Sequence, residues 1–246
     1  MKFVAPRSSS LGAVALAAVL WSTPAYAQND RPWSFSFDMG VQTAISGDAH
    51  SGASGQVLNL PTSVDAKTYG DVYGQGFQWA AGLGYLVTPN GEIRVLGSYT
   101  SNPSTNLQVG TVAGLPLFAK FDDYNAFGMD FGYRQYLGLG SVKPFVGGSA
   151  GFSRVETINS TLTVPAASVT VSDVGFYESS TVPSFTLSGG VQVALTGNVA
   201  FQGGVDFRWH GELSQNEGLA GTGLESINDA SSRWALPITA GITVRF

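Results

Sequence analysis

Leu236-Pro237-Ile238-Thr239-Ala240-Gly241-Ile242-Thr243-Val244-Arg245-Phe246 alternates without a break. Leu236, Ile238, Ala240, Ile242, Val244 and Phe246 share one face, and Pro237, Thr239, Gly241, Thr243 and Arg245 share the other. A period of two is the signature of a β-strand, because successive side chains point to opposite sides of the pleat. A strand with one small or polar face cannot lie between two apolar layers. That face must look at water or at other polar side chains.

The same alternation recurs seven times upstream, making eight predicted strands. Trp33, Phe35, Phe37, Met39 and Val41 oppose Ser34, Ser36, Asp38, Gly40 and Gln42, and Phe77, Trp79, Ala81, Leu83 and Tyr85 oppose Gln78, Ala80, Gly82 and Gly84. Ile93, Val95 and Tyr99 oppose Glu92, Arg94, Ser98 and Thr100, with Leu96 and Gly97 breaking the pattern. Phe127, Met129, Phe131 and Tyr133 oppose Gly128, Asp130, Gly132 and Arg134, and Pro144, Val146, Ala150 and Phe152 oppose Lys143, Gly147, Ser149 and Ser153. Phe185, Leu187, Val191 and Val193 oppose Ser184, Thr186, Ser188 and Gln192; Val199, Phe201, Val205, Phe207 and Trp209 oppose Gln202, Gly204, Asp206 and Arg208.

The connections alternate as well. Thr88-Pro89-Asn90-Gly91, Gly138-Leu139-Gly140-Ser141 and Thr196-Gly197-Asn198 are tight turns. Between them lie long stretches rich in Gly, Ser, Thr and Asn, at roughly 45–76, 101–123, 154–183 and 210–233. Short periplasmic turns, long extracellular loops and an even strand number are what an up-and-down transmembrane barrel requires. In hydrocarbon every backbone polar group must be paired within the protein, and a sheet achieves that only by closing on itself. The expected fold is therefore all-β: an eight-stranded antiparallel transmembrane β-barrel. Trp33, Trp79, Tyr99, Tyr124, Tyr133, Tyr136, Trp209 and Trp234 fall towards strand ends, where amphipathic rings favour the membrane interface.

The amino terminus agrees on the compartment. Lys2 and Arg7 precede an uncharged run from Leu11 to Trp21, and Ala25-Tyr26-Ala27 supplies small residues before a cleavage point at Gln28. Residues 1–27 are expected to be a secretory signal peptide and 28–246 the barrel. Without cysteine the exported chain has neither a disulfide framework nor a thiolate metal site. Only His50 and His210 could ligate through imidazole, so no cofactor or metal is expected. Removing Lys2 and Arg7 from the 12 basic residues leaves 10 against 17 acidic ones, a net charge of −7, which excludes a nucleic-acid partner.

These residues resemble the OmpA/OmpX-type eight-stranded outer-membrane barrels over nearly all of 28–246. The nearest local matches are Lys143-Pro144-Phe145-Val146-Gly147-Gly148-Ser149-Ala150-Gly151-Phe152 and the closing Gly241 to Phe246. The resemblance implies a bacterial outer-membrane location with periplasmic termini. It also implies outer-membrane lipids and lipopolysaccharide as surroundings, and the barrel-assembly machinery as a partner that reads Phe246. The peptidoglycan-binding domain of full-length members has no counterpart after Phe246, so tethering to the cell wall is not expected.

An eight-stranded barrel is filled by its own side chains. The inward positions Asp38, Glu92, Asp130 and Asp206 face Arg94, Arg134, Lys143, Arg208 and Arg245, a near balance that predicts a structural network of paired charges rather than a site. Glu92, Arg94, Arg134 and Lys143 lie near the short turns and predict one ion-pair cluster, with a second further up. The stretch His210-Gly211-Glu212-Leu213-Ser214 resembles the rim of a surface lipid A deacylase in residue types alone, because Ser214 is four from His210 rather than two. The expected function is a non-enzymatic structural or surface-interaction role, with a lipid A-modifying enzyme and a narrow channel as the alternatives. Asp48, Asp65, Asp71, Glu212, Glu217, Glu225 and Asp229 make the loops acidic, and an extracellular ligand for those loops stays open.

Overall fold

The computed structural model describes residues 31–57, 59–138, 140–228 and 231–246; the expected signal peptide lies outside them. Eight strands form the barrel: β1 (Trp33–Ser46), β6 (Gly76–Thr88), β7 (Gly91–Asn102), β10 (Tyr124–Tyr136), β11 (Val142–Val155), β14 (Ser180–Ala194), β15 (Val199–His210) and β16 (Arg233–Arg245). All neighbours are antiparallel, and β1 pairs with both β6 and β16, so the ring closes and no barrel edge is left unpaired. Where the first and last strands meet, the backbones of Trp33 and Phe246 exchange hydrogen bonds in both directions at 3.2 and 3.0 Å.

The faces are sorted as a lipid-embedded sheet demands. Outward Met129 is 67% exposed and Phe152 63%, whereas inward Gln42 and Asn102 are 0%. A water-soluble barrel would show the reverse. The outward aromatics make rows: Phe37 and Tyr99 both lie against Trp79, Tyr99 also meets Phe127 at 4.8 Å, and Phe207 stacks on Trp234 at 4.3 Å. Tyr124 and Tyr136 do not join the expected interfacial belt. Both point inward and are buried, Tyr136 with Leu86 and Phe145 near the short turns and Tyr124 at the opposite mouth.

The long connections are folded rather than looped. The first three each contribute a hairpin: β3 (Ala53–Val57) with β4 (Leu60–Val64), β8 (Leu107–Val112) with β9 (Leu115–Phe121), and β12 (Ile158–Val164) with β13 (Val169–Tyr177). They join in one antiparallel sheet in the order β13-β12-β9-β8-β4-β3. A short pair, β2 (Asp48–His50) with β5 (Lys67–Thr68), and one helical turn, α1 (Tyr69–Val72), sit beneath it. Thr68 and Asp71 form a reciprocal capping box on α1.

The fourth connection ties the two edges of this sheet together. Its backbone accepts from Gln56 of β3 and donates from Asn216 to Phe176 of β13, at 2.7 and 3.2 Å. Ser51 and Glu178 donate to the carbonyls of Ile227 and Ser214 at 2.7 and 2.9 Å. The result is a second ring, here called the cap, standing on the open end of the barrel. Its core runs from Val109, Leu117 and Phe121 through Ile158 and Phe176 down to Tyr69, Tyr73 and Tyr124.

Candidate functional site

Three places gather unusual chemistry, and they stack along the barrel axis. The lowest is the lumen. Asp38, Asp130 and Asp206 with Arg94, Arg134 and Arg208 line a void of about 60 Å³, room for about two waters at ~30 Å³ each. Cross-strand glycines make the carboxylates fit. Gly241 lies opposite Asp38 and Gly151 opposite Asp130, and a Cβ at either would run into the carboxylate and the neighbouring backbone.

The charges are satisfied mostly by neutral groups. Only two ion pairs lie within 4.0 Å among the described residues, Arg94 with Glu92 and Arg208 with Asp206, each at 3.9 Å and each between same-face neighbours on one strand. Gln202 is the hub: its Oε1 accepts from Arg134 Nη1 at 2.7 Å and from the Thr243 hydroxyl at 3.0 Å, while its Nε2 donates to Asp38 Oδ1 at 2.6 Å. Ser184 donates to Asp130 at 2.7 Å, and Arg208 donates to Thr186 and Gln78. Glu92 accepts from the Ser34 hydroxyl at 2.5 Å and the Tyr136 hydroxyl at 2.9 Å.

Of the expected cluster of Glu92, Arg94, Arg134 and Lys143, only Glu92 and Arg94 lie within ion-pair distance. Glu92 and Arg134 are register partners on β7 and β10, yet the Arg134 guanidinium turns to Gln202 and over the Phe145 ring, 4.0 Å from its centroid. Lys143 and Arg245 lie over Tyr136 at 6.0 and 5.5 Å. Guanidinium on an aromatic face is attractive without any carboxylate, which the alternation of sequence positions could not reveal. Phe246 closes the outward row of β16 with its side chain exposed.

The second place is the mouth, where Arg233 of β16 is 1% exposed. Its guanidinium stacks 3.5 Å from the centroid of Tyr124 and 5.2 Å from that of Tyr69, and its three nitrogens have no hydrogen-bond partner among the described residues. His210, its register partner, is likewise buried with neither ring nitrogen bonded. Glu212 and Ser214 are both exposed. The His210, Glu212 and Ser214 set is therefore not brought together around a common point. The expected last loop, 210–233, takes in Arg233, whereas the structure makes it the first inward residue of β16, in one row with Ala235 and Pro237.

The third place is the cap, which encloses a cavity of about 320 Å³. Its walls are Val64, Val109, Leu117, Phe121, Leu162 and Phe176 among others, and His50 looks in from below. His50 is 1% exposed and packs between Phe121 and Phe176, each ring 5.9 Å away. Burial holds its imidazole below the ordinary value of 6.5, with Lys67 acting in the same direction. The neutral ring places Nδ1 3.2 Å from the Ser51 carbonyl, leaving Nε2 without a partner among the described residues. Two acids outside the barrel have local duties: Asp71 caps α1, held below the usual carboxylate range by the Thr68 backbone and hydroxyl, and Glu225 accepts from the amides of Gly221 and Gly223 at 2.7 and 3.2 Å. Among the described residues no group of His, Asp and Glu could hold a metal.

Closure, an outward apolar surface and a polar, filled lumen occur together on one ring of strands. The protein is a closed eight-stranded antiparallel β-barrel with a lipid-facing outer surface. No family model and no curated protein matches the chain. Among solved structures it is similar to Neisserial surface protein A, at 15% identity and a TM-score of 0.48 over 87% of this chain and 97% of that one. It is also similar to the attachment invasion locus protein of Yersinia pestis, crystallised with the heparin analogue sucrose octasulfate (10% identity, TM-score 0.40, 87% and 99% covered). A third is the outer membrane protease OmpT of Escherichia coli (9%, 0.43, 92% and 99%). At these identities no residue role crosses from them to this chain.

Proposed function

We propose that the protein is a non-enzymatic outer-membrane surface protein in which the barrel anchors and the cap binds. The single observation that carries this reading is the contrast in free space: about 60 Å³ in the lumen, ringed by charges, against about 320 Å³ in the cap, ringed by hydrocarbon. Ligand sites are typically concave, mostly apolar and upwards of ~300 Å³, and of these two spaces the cap meets that description. The cap stands at the end opposite the short turns, and in the usual arrangement of such barrels that end is the extracellular one, which supports a surface role. Outer-membrane lipids and lipopolysaccharide then surround the barrel, and the assembly machinery would read Phe246.

Planar-bilayer recordings test the reading directly. A lumen closed by Gln202 and its partners should give no stepwise conductance, and discrete steps would favour the channel. Incubation with lipid A should leave its acyl chains intact; hydrolysis that disappears in His210→Ala would favour the enzyme. Deleting Phe246 should lower the amount reaching the outer membrane while export continues, and unchanged levels would remove its role as an assembly signal.

A further inference from the structure

The cavity in the cap is unusual in how completely its own polar groups are occupied. Of the hydroxyls at its wall, Thr62 donates to the Leu60 carbonyl at 3.1 Å, Ser160 to that of Val174 at 3.4 Å and Thr222 to that of Leu219 at 2.6 Å. A water needs two to four polar partners to stay in a cavity. His50 Nε2 has no hydrogen-bond partner among the described residues, but it is itself buried and does not open onto the space. The space is therefore unsuited to water and suited to hydrocarbon.

Size and access sharpen the description. A cavity lined by Leu, Ile and Phe stays dry and takes up benzene at ~150 Å³, and this one is about twice that. Its volume matches roughly ten water-sized groups of ~30 Å³, which a chain of about ten to twelve carbons would fill. The way in is apolar too. Leu60, Leu115, Val169 and Val171 line the cavity near the three hairpin tips and are 46%, 38%, 43% and 41% exposed. Singly such residues need no explanation, but one or two on every tip around the same opening form a greasy rim.

We propose that the cap binds an apolar molecule of about ten to twelve carbons, its chain lying along the hydrocarbon walls. The assignment rests on the reading that the cap, not the lumen, does the binding.

Calorimetric titration of the full-length barrel, reconstituted in lipid nanodiscs so that no detergent chain competes, tests the proposal with decane as the probe. Empty nanodiscs measure partitioning into lipid. The wild type should bind decane beyond that background. Leu117→Trp, which fills the cavity, should abolish the binding, and Val109→Phe serves if Leu117→Trp loses its heat-modifiable folded band on a gel. Decane binding that survives both filled variants, or a wild type that binds no more than empty nanodiscs, would overturn the site. Conductance steps in bilayers would overturn the underlying reading instead, whatever the titration shows.

Discussion

Barrel and cap are built from the same alternation with the faces exchanged. Along β11, Phe152 points outward and is exposed while Ser153 points inward and is buried; along β9, Leu117, Ala119 and Phe121 point inward and Lys120 outward. The exchange happens within single strands. On β14, Phe185 and Leu187 face out, yet Val182 near the mouth faces in and is 2% exposed. Alternation reports that a strand has two unlike environments. Which face is apolar reports the solvent outside: hydrocarbon around the barrel, water around the cap.

Charge on the outward face should break this symmetry most. Val205→Arg, mid-strand and paired with Ile238, should cost about 2–4 kcal/mol of unfolding free energy measured in bilayers. Thr163→Arg, on the outer side of β12 in the cap, should change it by less than about 0.5 kcal/mol. Equal costs at the two positions would mean that barrel and cap face the same medium.

That exchange also explains what the sequence makes legible. All eight barrel strands, their inward rows and the three tight turns can be read directly, because each strand repeats the pattern over ten or more residues. The cap cannot be read in the same way. Its strands run five to nine residues, Thr161-Leu162-Thr163-Val164 alternates no longer than a turn allows, and β13 carries Ser172, Asp173 and Gly175 mid-strand. Gly, Ser, Thr and Asn look like loop in isolation, and only the pairing of hairpins from three distant connections makes them sheet. The charged lumen residues were legible as an inward set, but their partners were not: Gln202 carries no charge, and nothing local says that it bridges β10 to β1.

The next largest effect concerns that bridge. Gln202→Leu strips Arg134 and Asp38 of a partner each, and a buried group left unpaired costs about 1–3 kcal/mol. The Glu92→Gln and Arg134→Gln double-mutant cycle should by contrast show coupling below about 0.5 kcal/mol, because the two side chains bond elsewhere. Unfolding in vesicles measures both. A large Glu92 to Arg134 coupling with a silent Gln202→Leu would return the lumen to an ion-pair lattice.

A smaller effect separates cap from barrel by pH. Burial, aided by Lys67 and opposed by the Ser51 carbonyl, Asp48 and Asp65, lowers the His50 value below 6.5. A base whose folded value is depressed takes up its proton first in the unfolded chain. Its stabilising contribution is therefore full above about pH 6.5 and is lost as pH falls from there towards the folded value, by at most about 1.4 kcal/mol per pH unit. Amide exchange in β9 and β12 should quicken, relative to the intrinsic rate, between pH 7.5 and 5.5, with β1 and β16 unchanged. His50→Gln should remove the part of the acceleration that belongs to this group, and an identical pH response in that variant would assign it to the acids nearby.

The smallest effect lies in the turns that the cap alone uses. Ala113 and Gly114 join β8 to β9 with φ of 49° and 79°, the primed two-residue turn whose twist suits a hairpin and which needs positive φ at both places. Glycine adopts that conformation freely, but an L-residue there costs about 1–2 kcal/mol. Against this, glycine loses about 0.5–1 kcal/mol more backbone entropy on folding than alanine. Ala113→Gly should therefore stabilise the hairpin by about 0.5–1 kcal/mol, the difference of the two costs. Ala113→Asn should do at least as well, because asparagine tolerates the left-handed region without the entropy loss. Exchange protection of the β8 and β9 amides reads this gain locally, where global unfolding dominated by the barrel would hide it. If both variants weaken that protection, Ala113 is held in its turn by contacts at the cavity rim that outweigh the backbone preference, and the opening of the cap is stiffer than its hairpin tips suggest.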